Sequence, residues 1–170
     1  MTFTFRTLIS PKIRHCKYYV IPLKFFKGIF VFKERVMRTV ARETLFKIVF
    51  STQFNPIEED GFKKAIYKAE KLDENDIAYC ESVLKSVKEH GEEFSRIIDS
   101  RSKLFPESRL FPADRSVLLI ALAEIKYRDD IPQTVSVNEA ANIASKYSSA
   151  KSASFVSGIL AEILRESANV

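Results

Sequence analysis

Glycine is scarce in this chain, with four among 170 residues, at positions 28, 61, 91 and 158. No two stand close enough to form the glycine-rich loop that cradles a phosphate, which excludes nucleotide-binding folds of that kind. Histidine and cysteine are as thin: His15, His90, Cys16 and Cys80 are the full set. Two histidines cannot furnish a histidine-rich metal site, and neither sits in a motif that would make it a catalytic base. The cysteines lie far apart with no pairing signature, so a disulfide-free protein of the cytoplasm is expected, with Cys80 a buried inert thiol. Long apolar runs are missing too. The longest useful one, residues 117–123, falls well short of the roughly twenty residues needed to span a bilayer. Nowhere does an alternating apolar and polar pattern bounded by turns ask for a sheet.

Acidic residues are nearly absent from the first 36 positions. That segment carries eight of the 27 basic and one of the 22 acidic residues, a charge of +7, which leaves 19 against 21, a charge of −2, for the remainder. The overall +5 therefore says nothing about residues 37–170, where any nucleic-acid site must be a local patch. Eight of the twenty aromatics also fall in residues 1–36, without helical or alternating order. As a signal anchor this stretch is poor, since Pro22, Lys24 and Lys27 break its apolar part and no small-residue cleavage site follows. Lys33-Glu34-Arg35-Val36-Met37 can be encoded by a purine-rich stretch just before an ATG, as a bacterial ribosome-binding site would be. Residues 1–36 are thus read as an untranslated or disordered extension, and residues 37–170 as the domain.

What is present is helical text. Residues 114–125 form an apolar segment whose Ala121-Leu122-Ala123 favours a helix and which shows carbon on every side, so it reads as the central buried helix. Asp114 stands in its first turn, where a negative charge suits the helix dipole. Thr39 is read as the N-cap of a first helix with Leu45, Phe46, Val49 and Phe50 at helical spacing. Asn55-Pro56 opens a second. Asp73 or Asn75 starts a third along Ile77, Cys80, Leu84 and Val87, interrupted or continued at Gly91. Residues 104–112 are a loop. Ser136-Val137-Asn138-Glu139 reads as a capping box, residues 147–154 as a serine-rich break, and Phe155 onward as a last helix with a two-wide apolar stripe. The fold class is all-α, a helix bundle of two packed subbundles sharing the central helix.

Several of these stretches together resemble the NusB family over residues 37–170: Ala41-Arg42-Glu43, Phe50-Ser51-Thr52-Gln53, Asp114-Arg115 before the apolar helix, Asp130-Ile131-Pro132, Val137-Asn138-Glu139-Ala140, and Phe155-Val156-Ser157-Gly158. The resemblance implies a protein that binds rather than catalyses, with no catalytic residue, metal or cofactor. It implies pairing with the ribosomal protein NusE, joint binding of boxA RNA, and a place in the RNA polymerase antitermination complex on ribosomal RNA operons. Carried over residue by residue, the RNA-binding set is Arg38 and Arg42 at the start of the first helix, Lys47 one to two turns on, and Phe50 near its end. Lys151, Ser152, Ser154 and Phe155 follow in the loop before Phe-Val-x-Gly. The first helix holds fewer arginines than the family usually does, which implies dependence on the protein partner.

On residue type alone, Phe50 and Phe155 read as core residues, Arg42 as a solvated helix charge, and Asn138 and Glu139 as capping and packing residues. Two other functions fit the same text. One is a protein-only interaction module that keeps the NusE surface. The other is a detached RNA-binding domain related to the N-terminal part of rRNA cytosine methyltransferases.

Overall fold

The computed structural model describes residues 26–54, 59–102 and 106–167, with side chains described for 38–54, 61–102 and 106–166. Among the described residues there are six α-helices and no strand: α1 Phe26–Thr52, α2 Glu59–Ala69, α3 Glu74–Arg101, α4 Pro112–Tyr127, α5 Gln133–Tyr147 and α6 Ala150–Ser167. The apolar segment forms α4, opened by a proline at a position where its missing N–H costs no hydrogen bond. Every residue from Ser116 to Glu124 is buried, and Leu118 and Leu122 have no exposed surface at all. A helix buried all round must be covered all round, and α4 packs against α1, α3, α5 and α6. The helix pair α5–α6 lies to one side and α1 with α3 to the other. The expected sharing of a central helix is what the structure shows.

Three boundaries differ from the sequence reading, each for a local reason. No proline follows Pro22 before Thr39, and α1 runs unbroken from Phe26 through Met37. Thr39 is therefore interior to the helix, its hydroxyl donating to Glu139 on α5 at 3.2 Å, instead of capping it. In α5 the chain turns earlier than the serine. The amides of Val135 and Ser136 bond the Pro132 carbonyl at 2.8 and 3.3 Å, so the helix starts at Gln133. Ser136 sits one turn inside, 2% exposed, and caps nothing. The serine-rich break shrinks to Ser148 and Ser149. The Ser149 hydroxyl accepts from the Ser152 amide at 3.0 Å, an N-cap bond that starts α6 at Ala150.

Other expectations hold. Asp73 caps α3, its carboxylate accepting from the Asp76 amide at 2.9 Å, and Gly91 lies inside that helix without ending it. The loop before α4 contains one 3-10 turn at Glu107–Arg109. The Asn55-Pro56 start, Leu104, Phe105 and the greater part of the 1–36 extension lie outside the described residues. Among the described residues no helix is long and apolar enough to cross a membrane.

Lys71, just past α2, has φ 55, the left-handed region that L residues with a Cβ occupy at a cost. Lys71→Gly is expected to raise stability by about 0.5–1 kcal/mol in urea unfolding. Cys80 is fully buried against the Ala41 carbonyl, and burial pushes its thiol up to about 12. Because the folded pKa is raised, the neutral thiol is favoured by folding, and this contribution fades as pH climbs from the ordinary thiol range toward 12. Iodoacetamide at pH 8 is expected to leave the Cys80 peptide unlabelled in native protein and to modify it once urea unfolds the chain.

Candidate nucleic-acid interface

Helix α1 presents two functional faces. On one, Arg38 and Arg42 stand one turn apart and point toward α3. Arg42 is 5% exposed, and its Nε donates to Glu124 Oε1 at 2.8 Å. The Tyr79 hydroxyl from α3 donates to the same oxygen, and Ser136 from α5 donates to Oε2 at 2.5 Å. One buried carboxylate thus gathers donors from three other helices. Desolvation works against the Arg42 charge, but attraction to Glu124, with the Tyr79 oxygen and the hydrogen bond adding, holds its pKa above the ordinary value. Burial, then the Glu124 charge, drives Tyr79 well above the usual tyrosine range. The solvated-charge reading of Arg42 is corrected on this point. As part of a buried ion pair it has no guanidinium face to offer an RNA phosphate.

Arg38 is partly exposed. Its guanidinium lies 4.6 Å from the Tyr79 ring centre and 3.5 Å from Asp76. Arg128 reaches the same ring at 5.5 Å while clamping Asp130 with two bonds of 2.8 Å. Burial, followed by the neighbouring Asp73, raises the Asp76 carboxyl, with Arg38 opposing.

Lys47 lies nine residues beyond Arg38, which on a helix means about 13 Å along the axis and half a turn around it. Arg38, Arg42 and Lys47 therefore do not form one cationic face. Lys47 belongs to a second face, where its ammonium meets Glu70 at 2.6 Å. Phe46, Phe50 and Phe54 run along this side at i, i+4 spacing, with ring centres 5.8 and 5.1 Å apart. Tyr147, at the end of α5, adds a fourth ring 4.7 Å from Phe46. Lys146 beside it bonds Glu43 at 2.7 Å. Phe50 is half-buried and packs on the core, while Phe54 is 58% exposed. Gln53 donates to the Pro112 carbonyl at 2.9 Å, which sets this end of α1 against the start of α4 next to the exposed Phe111.

From Tyr147 the chain passes through the two-serine turn into α6, carrying the surface on to Lys151 and Ser154, both exposed. Ser152 is buried and bonds Ser148 and Ser149, so it holds the turn and faces no ligand. Phe155 is half-buried against the core. The structure thus brings Lys47 and Phe50 together with the α5–α6 turn, and sets Arg38 and Arg42 apart on the other side of α1. Sequence reasoning missed Tyr147, Lys146 and Phe54 on the open face, and Tyr79, Glu124 and Ser136 in the buried network. One signal was available: a lone glutamate in an apolar helix demands buried partners.

A model of the NusB family matches residues 37–165. The chain belongs to the NusB family. Its relatives include the transcription antitermination protein NusB of Methylacidiphilum infernorum, 35% identical over 133 residues, 78% of this chain and 93% of the relative. The NusB of Ruminiclostridium cellulolyticum is 36% identical over 126 residues, 74% and 87% of the two chains. Members of this family are transcription antitermination factors, not enzymes. Among solved structures, a T. maritima NusB superposes with a TM-score of 0.70 at 28% identity, covering 76% of this chain and 91% of that one. A crystal structure of NusB and NusE with double-stranded RNA superposes on the same share of this chain and 97% of that one, with a TM-score of 0.69 at 20% identity, a likeness of fold.

The buried pair makes a stability prediction. Arg42→Met leaves Glu124 buried with its opposite charge gone and is expected to cost about 3–5 kcal/mol in urea unfolding. Arg42→Met combined with Glu124→Leu removes both charges and is expected to cost less than Arg42→Met alone.

Proposed function

We propose that this chain is a cytoplasmic antitermination factor that binds boxA-type RNA jointly with the ribosomal protein NusE, within the RNA polymerase antitermination complex on ribosomal RNA operons. The observation that carries this reading is the solvent-facing ladder Tyr147, Phe46, Phe50 and Phe54, flanked by Lys47, Lys146 and Lys151. Aromatic rings interleaved with ammonium groups suit single-stranded nucleic acid, whose bases stack and whose phosphates need cations. Family membership supports it, as does the fold shared with a NusB solved together with NusE and RNA.

The charges on this face are already engaged. Lys47 and Lys146 are held by Glu70 and Glu43, whose hydrogen bonds raise both lysine pKa values. An RNA phosphate must displace a carboxylate from each, so affinity for RNA alone is low and the partner protein supplies the remainder. The same observation favours a second reading, an interaction module that binds the partner and not RNA.

A salt series on the complex of this chain, NusE and a boxA RNA separates them. Lys151→Ala is expected to weaken binding and flatten the log–log salt slope by about 0.7. Phe54→Ala, exposed and so folding normally, is expected to lose about 1–3 kcal/mol of RNA binding with little change of slope. Unchanged RNA affinity in a Lys47→Ala/Lys151→Ala variant would leave the protein-only module as the function.

A further inference from the structure

Between α1, α2 and α3 lies a cavity of about 450 Å³, remote from the aromatic ladder's open side. Its floor is core: Ile48 and Val49 of α1 are 2% and 4% exposed, and Leu84 of α3 completes it. Its rim is charged. Lys63, Lys85 and Lys88 line it against a single carboxylate, Glu81. That carboxylate is engaged already, by Lys63 at 3.0 Å and by the Tyr67 hydroxyl at 2.9 Å. Lys85 pairs only loosely with Glu89, 3.8 Å away between two exposed side chains, a contact of little energy in water. The rim therefore keeps a positive excess of two charges over an apolar floor.

The volume lies within the range of small-molecule pockets, which run from roughly 300 to 1,000 Å³. No aromatic side chain lines the cavity, so it offers bases nothing to stack on, and RNA is not its occupant. Apolar floor and cationic rim define an amphiphile. We infer that this cavity is a binding site for a small organic anion with an apolar body, the carboxylate or equivalent group on Lys85 and Lys88 and the hydrocarbon on Ile48, Val49 and Leu84. The inference stands independently of the RNA reading, because the two surfaces share no residue.

The test uses the full chain and three probes: decanoate, which has both parts, decanol, which lacks the charge, and acetate, which lacks the apolar body. Amide chemical shifts in ¹⁵N-labelled protein report where each binds. Decanoate is expected to move the amides of Thr52, Leu84 and Val87 saturably, with decanol about tenfold weaker and acetate silent. Lys85→Glu/Lys88→Glu, at two exposed positions, is expected to weaken decanoate by about tenfold or more while circular dichroism stays unchanged. Decanol binding as well as decanoate would overturn the proposal, as would shifts centred on Phe54, Phe111 and Tyr147, or a charge-reversed variant that binds decanoate like the original. A boxA titration repeated with saturating decanoate keeps this result separate from the RNA function, since displacement of RNA would place the anion on the wrong surface.

Discussion

The contact on which the rest of the structure depends is the carboxylate of Glu124. Placing a charge inside the most apolar helix of the chain is costly unless every lone pair finds a donor. Here the donors are Arg42 from α1, Tyr79 from α3 and Ser136 from α5. They meet one side chain only if the four helices stand in this register, because a shift of one turn along any of them moves its donor by about 5.4 Å. Leucines and isoleucines of the core tolerate sliding; a carboxylate with three fixed donors does not. The network thus sets which of many apolar packings is adopted.

The same constraint decides what α1 can do at its surface. With Arg42 drawn inward and Arg38 laid over Tyr79, the arginines near its start serve α3 and α4. The opposite side is released from structural duty, since its rings pack mostly on one another and its lysines pair with glutamates at the rim. A binding surface arises where the helix has nothing left to hold. That division of labour follows from helical geometry: residues nine apart cannot share a face, whatever their charge.

Much of the fold was legible because it rests on local patterns. The all-apolar stretch 117–123 announced a buried helix, Asp73 announced the start of α3, and the Phe155 stripe announced α6. Boundaries misread were those where a tertiary partner competed with a local rule. Ser136 has the sequence of a cap, but Glu124 lies in reach and Pro132 has already turned the chain, so the serine goes inside. Thr39 is likewise taken by Glu139. Of the candidate site, Lys47, Phe50, Lys151 and Ser154 fall on one continuous side. Arg42 could not be placed from sequence, since a buried arginine and a solvated one look alike until the glutamate 82 positions away is known to face it.

Charge accounting closes the argument. A body of net charge −2 that binds a polyanion needs either a dense cationic patch or help from a partner. The aromatic side has no dense patch, since Glu43 and Glu70 offset two of its three lysines. These exposed pairs are weak, and phosphates exchange for carboxylates at small cost in water. What cannot be exchanged is the row of rings, held in place by the core beneath Phe46 and Phe50. Stacking then fixes where a base lies, while the charge that brings the RNA there comes largely from elsewhere in the assembly. A surface built this way discriminates by assembly: it holds RNA when a cationic partner is seated and releases it when the partner leaves.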